Sequence, residues 1–295
     1  MAAGGVKNAM TIDVEDYFHV SNFEHVVDRG AWGTLESRVE ANTDRLLGMF
    51  DAAGVTATFF VLAWVAERVP ALVRRIAAAG HEVASHGYGH RLIYDQTPEV
   101  FRDDVRRARA LLEDLAGQRV NGYRAPSFSV TARSMWALDV LIEEGYTYDS
   151  SVFPVHHDRY GIPDAERHAG VVTRAAGSIV EVPASTVRMG GMNWPVGGGG
   201  YFRLLPYGWT RWGLQRVNDV ERAPAVFYLH PWEVDPDQPR LTAPALARYR
   251  HYHNLAVTAP RLERLMREFP FGTMRELIAS VPLPPLTLGS AGAAR

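Results

Sequence analysis

The chain contains no cysteine. That absence removes disulfides, thiolate nucleophiles and Cys-ligated metal sites together, and it fits a reducing compartment. Long apolar runs are missing too. Nowhere do about 18 consecutive apolar residues occur, so no membrane-spanning helix is expected. The longest such stretch, VTATFFVLAWVA (55–66), is interrupted by threonines and reads as a buried strand. The opening MAAGGVKNAMTIDVEDYF has no apolar run of signal-peptide type. A soluble, cytoplasmic protein is therefore expected. There is no excess of positive charge: 31 basic and 33 acidic side chains give a net charge of −2. Neither nucleic acid nor an anionic membrane is then expected as the main partner.

What is present is ordinary in bulk and patterned in detail. Hydrophobic residues make up 47% of the 295 and charged residues 22%, enough to bury a large core. Three stretches share one shape, a helix-like run, a glycine, then a strand-like run: LLGMFDAAGVTATFFVL (46–62), LVRRIAAAGHEVASH (72–86) and ALDVLIEEGYTYDSS (137–151). Gly54, Gly80 and Gly145 stand where a helix ends in a left-handed residue. Between the second and third, TPEVFRDDVRRARALLEDLAG (97–117) has an apolar face and opens with Thr97 and Pro98, so it predicts an amphipathic helix.

Repeated strand–helix–strand order implies parallel strands joined by right-handed crossovers. Both a (β/α) barrel and an open doubly wound sheet satisfy it, and both put functional residues at the C-terminal ends of strands. Asp13, His86, Arg124, Asp149 and His230 each stand at or just after the end of a predicted strand, which argues for one shared site. From about 154 to 207 the pattern loosens, with only SIVEVPAS (178–185) strand-like, and a loop-rich insertion over the site is expected. Residues 281–295 are rich in Pro, Gly and Ala and read as a loosely held tail.

The chemistry-bearing residues fall into four groups. TIDVEDYF packs Asp13, Glu15 and Asp16 into four positions. Such like charges repel unless solvent or a cation offsets them, although an isolated motif of this kind also reads as an acidic loop or helix cap. SHGYGH places His86 and His90 four apart, within reach of one cation. Gly87 and Gly89 favour a tight turn over a regular helix. Two histidines with one carboxylate leave coordination positions open, which suits hydrolysis better than a purely structural role. GYRAPSF carries Arg124 in an apolar setting, where a guanidinium needs a carboxylate partner. VFYLHPWE ends a strongly apolar strand with His230, followed by Pro231 and Trp232.

Taken in order, TIDVED, SHGYGH, YRAP, YDSS and YLHPWE resemble the five motifs of the polysaccharide deacetylase superfamily, the NodB-homology proteins of carbohydrate esterase family 4. More narrowly, GGGYFRLLPY and HPWEVDPDQPR resemble a C-terminal region of DUF3473 type, found in the branch associated with exosortase A and PEP-CTERM loci. The resemblance runs from about residue 8 to 280. It implies an α/β fold, a distorted (β/α)7 barrel, here as a single domain over 1–280 with the insertion at 154–207. It also implies roles: Asp13 as catalytic base, His86 and His90 as metal ligands, Arg124 as the residue orienting the base, and His230 as catalytic acid.

Two departures from the family pattern leave questions open. Val14 stands where the first motif usually carries its metal-binding aspartate, so the third ligand is Glu15 or Asp16. Period-2 geometry favours Glu15, on the same side of an extended segment as Asp13, whereas a turn would bring in Asp16. Val152 stands where a second aspartate of the fourth motif usually positions the acid, so either another carboxylate, Glu233 or Asp235, does so or His230 is tuned differently.

The implied function is metal-dependent hydrolysis of N-acetyl groups from a bacterial exopolysaccharide or its precursor. The implied cofactor is a divalent metal, Zn2+ first, with Co2+ or Ni2+ as alternatives, and the partner an N-acetylated glycan. Tyr17, Pro126, Asp149 and Trp232 are the expected substrate contacts. PVGGGGY (195–201) reads as a lid or a connector, and His251 and His253, two apart, as surface residues. An amidohydrolase of small cyclic amides and a glycan-binding pseudoenzyme are the competing readings.

Overall fold

Residues 6–157 and 159–288 are described in a computed structural model. The strand β1 (Asn8–Val14) is buried at all seven positions, as expected of a strand covered on both faces. It is followed by β2 (Thr58–Val61), β3 (Glu82–Ser85), β4 (Gly122–Tyr123) and β5 (Tyr148–Asp149), each parallel to the last. The next two strands, β6 (Gly170–Arg174) and β7 (Gly177–Glu181), form an antiparallel hairpin whose second strand lies parallel to β5. A separate hairpin, β8 (Thr186–Met189) and β9 (Met192–Pro195), precedes β10 (Val226–Leu229), which returns to pair with the other edge of β1. Among the described residues the main path of the sheet thus runs parallel over seven strands in the order β10-β1-β2-β3-β4-β5-β7, the number a (β/α)7 barrel requires.

The helices between them follow from the sequence signals. Helix α1 (Val39–Ala53) ends at Gly54 with φ 64°, and Gly80 and Gly145 likewise have φ near +80°. After β2 come α2 (Ala63–Arg68) and α3 (Pro70–Ala78), so the apolar run 55–66 is strand only as far as Val61. Helix α4 (Pro98–Ala116) starts on Pro98, with the Thr97 hydroxyl accepting from Val100 N–H. Its Phe101, Val105, Ala108, Leu112 and Leu115 form the buried face, and α5 (Trp136–Glu143) leads into β5.

The barrel is filled rather than hollow. Phe60, Ala84, Tyr148 and Val226 pack inside it with Met274 and Leu277, which α10 (Met274–Ser280) brings up from below. A side chain on Gly122 would meet the Tyr148 ring at 2.0 Å, so β4 must be glycine where the large ring crosses it. The short β11 (Phe271–Gly272) pairs with the start of β1 and sets the entry of α10.

The segment 154–207 is not a loop-rich insertion. It supplies β6 and β7 to the main sheet and then helps complete the wall between β7 and β10. Ser185 Oγ accepts from Val226 N–H at 2.7 Å, and Gly197 O accepts from Tyr228 N–H at 2.7 Å. Gly198, with φ 114°, pairs with Tyr228 so closely that a Cβ would lie 2.1 Å from the Tyr228 carbonyl oxygen. The glycine run is therefore part of the barrel wall, not a lid. Periodicity missed this because the closure uses single bridges and a hydroxyl instead of a continuous strand. The described part of the C-terminal segment is also docked: Val171 N–H donates to Pro284 O and Leu286 N–H to Val171 O, while residues 289–295 lie outside the described residues.

Candidate active site and metal centre

At the C-terminal ends of β1, β3, β4 and β10 a cavity of about 420 Å³ opens, with Asp13, Glu15, His86, His90 and His230 among its lining residues. A hollow of about 710 Å³ lies elsewhere, around His81, Glu82 and Gly117. Among the described residues its lining holds no metal-ligating cluster. His81 belongs there, at the start of β3, with Nδ1 accepting from Ala57 N–H at 3.1 Å.

One oxygen of Glu15 and one ring nitrogen each of His86 and His90 lie within 4.8 Å of one another, and all three residues are buried. Strand pleating turns Asp13 and Glu15 to the same side of β1. His86 directly follows β3, and His90 closes the turn after it at φ 48°, a left-handed conformation uncommon for a residue with a side chain. The turn is held from outside by α4, where Asp104 accepts from Tyr88 N–H at 2.7 Å and Gly89 N–H at 3.1 Å. Arg29 braces it from the other side, donating to the Gly89 and His90 carbonyls.

The donor set fits a divalent cation. His86 Nδ1 lies 2.8 Å from the Arg124 carbonyl. A carbonyl can only accept, so Nδ1 carries the proton and Nε2 keeps its lone pair for the site. Burial, the largest influence, pulls the His86 pKa down to about 4, leaving the ring neutral as a ligand must be. Glu15 Oε2 approaches His90 Nε2 to 2.6 Å yet meets no donor at hydrogen-bonding geometry. A fully buried carboxylate oxygen without a hydrogen bond is costly, and a cation there would satisfy it. Burial raises the Glu15 pKa, but His90, His230 and His86 outweigh it and hold the carboxyl well below the usual range.

Asp16 has other work. Its Oδ2 accepts from Ser37 Oγ at 2.7 Å, Arg38 N–H at 2.9 Å and Val39 N–H at 3.2 Å, and its Oδ1 from Tyr17 N–H. It therefore caps the N-terminus of α1 from a distance and is not among the converging ligand atoms. Sequence spacing could not separate it from Glu15, because its partners lie more than twenty residues on.

Arg124 is completely buried. Its Nη1 donates to Asp13 Oδ1 and to Thr11 Oγ1, each at 2.8 Å, and its other nitrogens to the Ser150 carbonyl and hydroxyl. The guanidinium lies 4.1 Å from the centre of the Phe60 ring. Asp13 Oδ2 remains directed toward His230, whose Nε2 is 4.0 Å away.

His230 is oriented by Glu233: Nδ1 and Oε1 are 2.8 Å apart, and the same oxygen accepts from the His230 backbone N–H. The other Glu233 oxygen accepts from Arg203 Nε at 2.6 Å. Arg203 is itself buried and pinned to the carbonyls of Arg250, His251 and His253. Burial pulls the His230 pKa down, but the Glu233 hydrogen bond and charge, with Glu15 and Asp13, outweigh it and push it up to about 9. Burial raises Glu233, whereas Arg203 and His230 take it down to about 2. Asp235, the rival partner for His230, pairs instead with Arg38 and Asn42. Arg203 could not be picked out from the sequence, since it sits inside the apolar run YFRLL of α6 (Gly199–Leu204).

Of the expected substrate contacts, Trp232 lines the cavity, stacked between His230 and His251 at 5.1 and 4.1 Å. Tyr17 does not reach it: the ring is buried in an aromatic cluster with Phe18 and Phe23. Pro126 is buried too, and the next two residues, Ser127 and Phe128, face the cavity instead. Asp149 is fully buried beside Glu181, with Oδ1 accepting from Ser151 Oγ at 2.5 Å. It faces the sheet interior rather than a ligand. His251 is not a surface residue either: it is buried, its Nε2 2.7 Å from Gln238 Oε1.

Comparison with known proteins gives the same picture. Residues 26–148 match the family model described as Polysaccharide deacetylase, and residues 150–279 the one described as Domain of unknown function (DUF3473). YheN of Bacillus subtilis, named as a polysaccharide deacetylase, is 30% identical over 132 residues, 44% of this chain and 46% of its own length. The peptidoglycan deacetylase of Helicobacter pylori is 31% identical over 119 residues, 40% of this chain and 39% of its own. The chain thus spans less than half the length of these curated relatives. A solved structure from Mycobacterium smegmatis, assigned to the polysaccharide deacetylases, superposes with a TM-score of 0.67 at 22% identity, covering 98% of this chain and 96% of that one. That likeness establishes the shared α/β fold, a distorted (β/α)7 barrel. Residues 26–148 are thus similar to the polysaccharide deacetylases, and residues 150–279 to the DUF3473 family.

Proposed function

We propose that this chain is a metal-dependent N-deacetylase acting on an N-acetylated glycan, a bacterial exopolysaccharide or its precursor. One observation carries the reading: the ligand atoms of Glu15, His86 and His90 converge within 4.8 Å, in the cavity that also holds Asp13 and His230. Glu15, His86 and His90 would hold the divalent ion, Zn2+ by the nature of the donors, with Co2+ or Ni2+ also compatible. When bound, the ion supplies Lewis acidity, which makes water a better nucleophile and an amide carbonyl a better electrophile.

The remaining steps belong to the chain's own side chains. Asp13, fixed through Oδ1 by Arg124, uses Oδ2 to take the proton from water as it attacks the N-acetyl carbon. The C–N bond then breaks, and His230 gives its Nε2 proton to the departing amine, so acetate and a free amino sugar leave. His230 is suited to this because Glu233 keeps it protonated with Nε2 toward the site.

The test is acetate release from N-acetylglucosamine oligomers by the metal-loaded protein and by Asp13→Asn and His230→Ala. Each variant should lose about 100-fold or more in kcat while keeping its metal. Undiminished acetate release in both would remove these two roles.

A further inference from the structure

Among the described residues the charges lining the cavity do not cancel. Its two carboxylates lie in the catalytic centre, Asp13 on Arg124 and Glu15 among the histidines. Of the three arginines in its lining, Arg203 is neutralised by Glu233. Arg159 and Arg250 remain. Among the described residues no carboxylate lies within ion-pair reach of either.

Arg159 is held at the cavity by a contact that leaves its charge available, and Arg250 is an exposed side chain in the cavity lining. Arg159 Nη1 donates to the Ser21 carbonyl at 3.0 Å, a neutral partner, which fixes the side chain without cancelling it. The backbone of Arg250 is tied down through its carbonyl by Arg203 at 3.1 Å. A cleft carrying uncancelled charge of one sign concentrates field lines and favours ligands of the other sign, and a guanidinium binds carboxylate or phosphate through two parallel hydrogen bonds. A chain with net charge −2 has no general excess of cations to scatter here.

We propose that the substrate of this site is an anionic N-acetylated glycan, bearing a carboxylate or phosphate group that Arg159 and Arg250 bind next to the acetamido sugar. This rests on the N-deacetylase reading and narrows it, since a neutral homopolymer of N-acetylglucosamine would bring neither guanidinium group an anionic partner.

The test compares three probes on the metal-loaded full chain: chitopentaose (neutral), an N-acetylheparosan hexasaccharide (glucuronate beside each N-acetylglucosamine) and UDP-N-acetylglucosamine (diphosphate). At low ionic strength kcat/KM for at least one anionic probe should exceed that for chitopentaose by about tenfold or more. The advantage should shrink in salt near 0.5 M, as expected for partly exposed pairs. Arg159→Ala and Arg250→Ala should each cut the anionic-to-neutral ratio several-fold through KM, with Arg159→Lys and Arg250→Lys keeping part of it. A larger gain on the glucuronate probe assigns a sugar carboxylate, and a larger gain on the nucleotide sugar assigns a phosphate. Equal turnover of charged and neutral probes, unaffected by either substitution, overturns the proposal. If no probe releases acetate, the deacetylase reading fails, and calorimetric binding of the same probes decides separately. Tighter binding of an anionic probe that both arginine variants lose supports the anion site; equal binding overturns it.

Discussion

Three residues apart in sequence, His230 and Glu233 face each other through Nδ1 and Oε1 at 2.8 Å, and Arg203 backs the pair through the second carboxylate oxygen. Val152 stands where the resemblance implies an aspartate, and Glu233 is the carboxylate that meets His230 instead. With Glu233 in place the His230 pKa lies up near 9. In the proposed role of acid His230 must be protonated, so activity should fall as pH rises through that value.

In Glu233→Gln the raised pKa should drop toward the ordinary imidazole value of about 6.5. The basic limb of kcat/KM would then move to lower pH by more than one unit, and kcat at pH 8 would fall about 10- to 100-fold. A full pH profile checks this. An unmoved basic limb would mean that another group controls the acid.

Glu15 and Asp16 are adjacent and chemically alike, yet their substitution should separate two properties. Glu15→Ala should lose bound metal with little change in folding. Asp16→Ala should keep the metal and lose about 3 kcal/mol of stability, because buried N–H groups at the start of α1 are left without an acceptor. Elemental analysis and denaturant unfolding together read both. Metal loss in Asp16→Ala alone would reverse the assignment.

Gly198→Ala should destabilise the protein by more than about 3 kcal/mol or prevent folding, since the added carbon would meet the Tyr228 backbone. Gly190→Ala, at the tip of the β8–β9 hairpin with open space around it, should cost only about 1 kcal/mol for its left-handed conformation. Thermal unfolding of the two variants compares them. A lid at 195–201 would give the opposite signature, a changed kcat with unchanged stability.

Asp149 and Glu181 are both fully buried, and their carboxyl groups pair with each other. Burial, and for Glu181 the neighbouring Asp149, raise both pKa values, Asp149 to about 6. A carboxyl whose pKa is raised on folding contributes stability below its unfolded value of about 4, lost as pH rises through the folded value. Wild-type stability should therefore decline between about pH 4 and 7. Glu181→Gln, which keeps an acceptor for Val152 N–H, should flatten that decline and melt a few degrees higher at pH 8. Identical pH dependence of Tm in the two proteins would contradict the pairing.

The sequence was most informative where chemistry is local. Glycines after helices, Thr97–Pro98 and the polar residues ending apolar strands are each set by neighbours a few residues away. It was least informative where the deciding partner is distant. Asp16 was ambiguous because Ser37 and Arg38 claim it, and Asp149 looked like a ligand contact because Glu181 lies thirty-two residues on. The barrel closure was hidden for a related reason: Ser185 and Gly197 bridge to β10 without a period-2 pattern. Arg203 and the buried His251 resemble surface residues of short helices until α6 and α8 (Ala245–Tyr252) are packed around Glu233 and Trp232.

The central claim is that Glu15, His86 and His90 hold a divalent ion on which deacetylation depends. The most direct measurement is acetate release by wild type and His86→Ala, each as purified, after chelation and after Zn2+ is restored. Chelation should abolish wild-type release, Zn2+ should restore it, and His86→Ala should be inactive throughout. Full release by the chelated protein or by His86→Ala would contradict it.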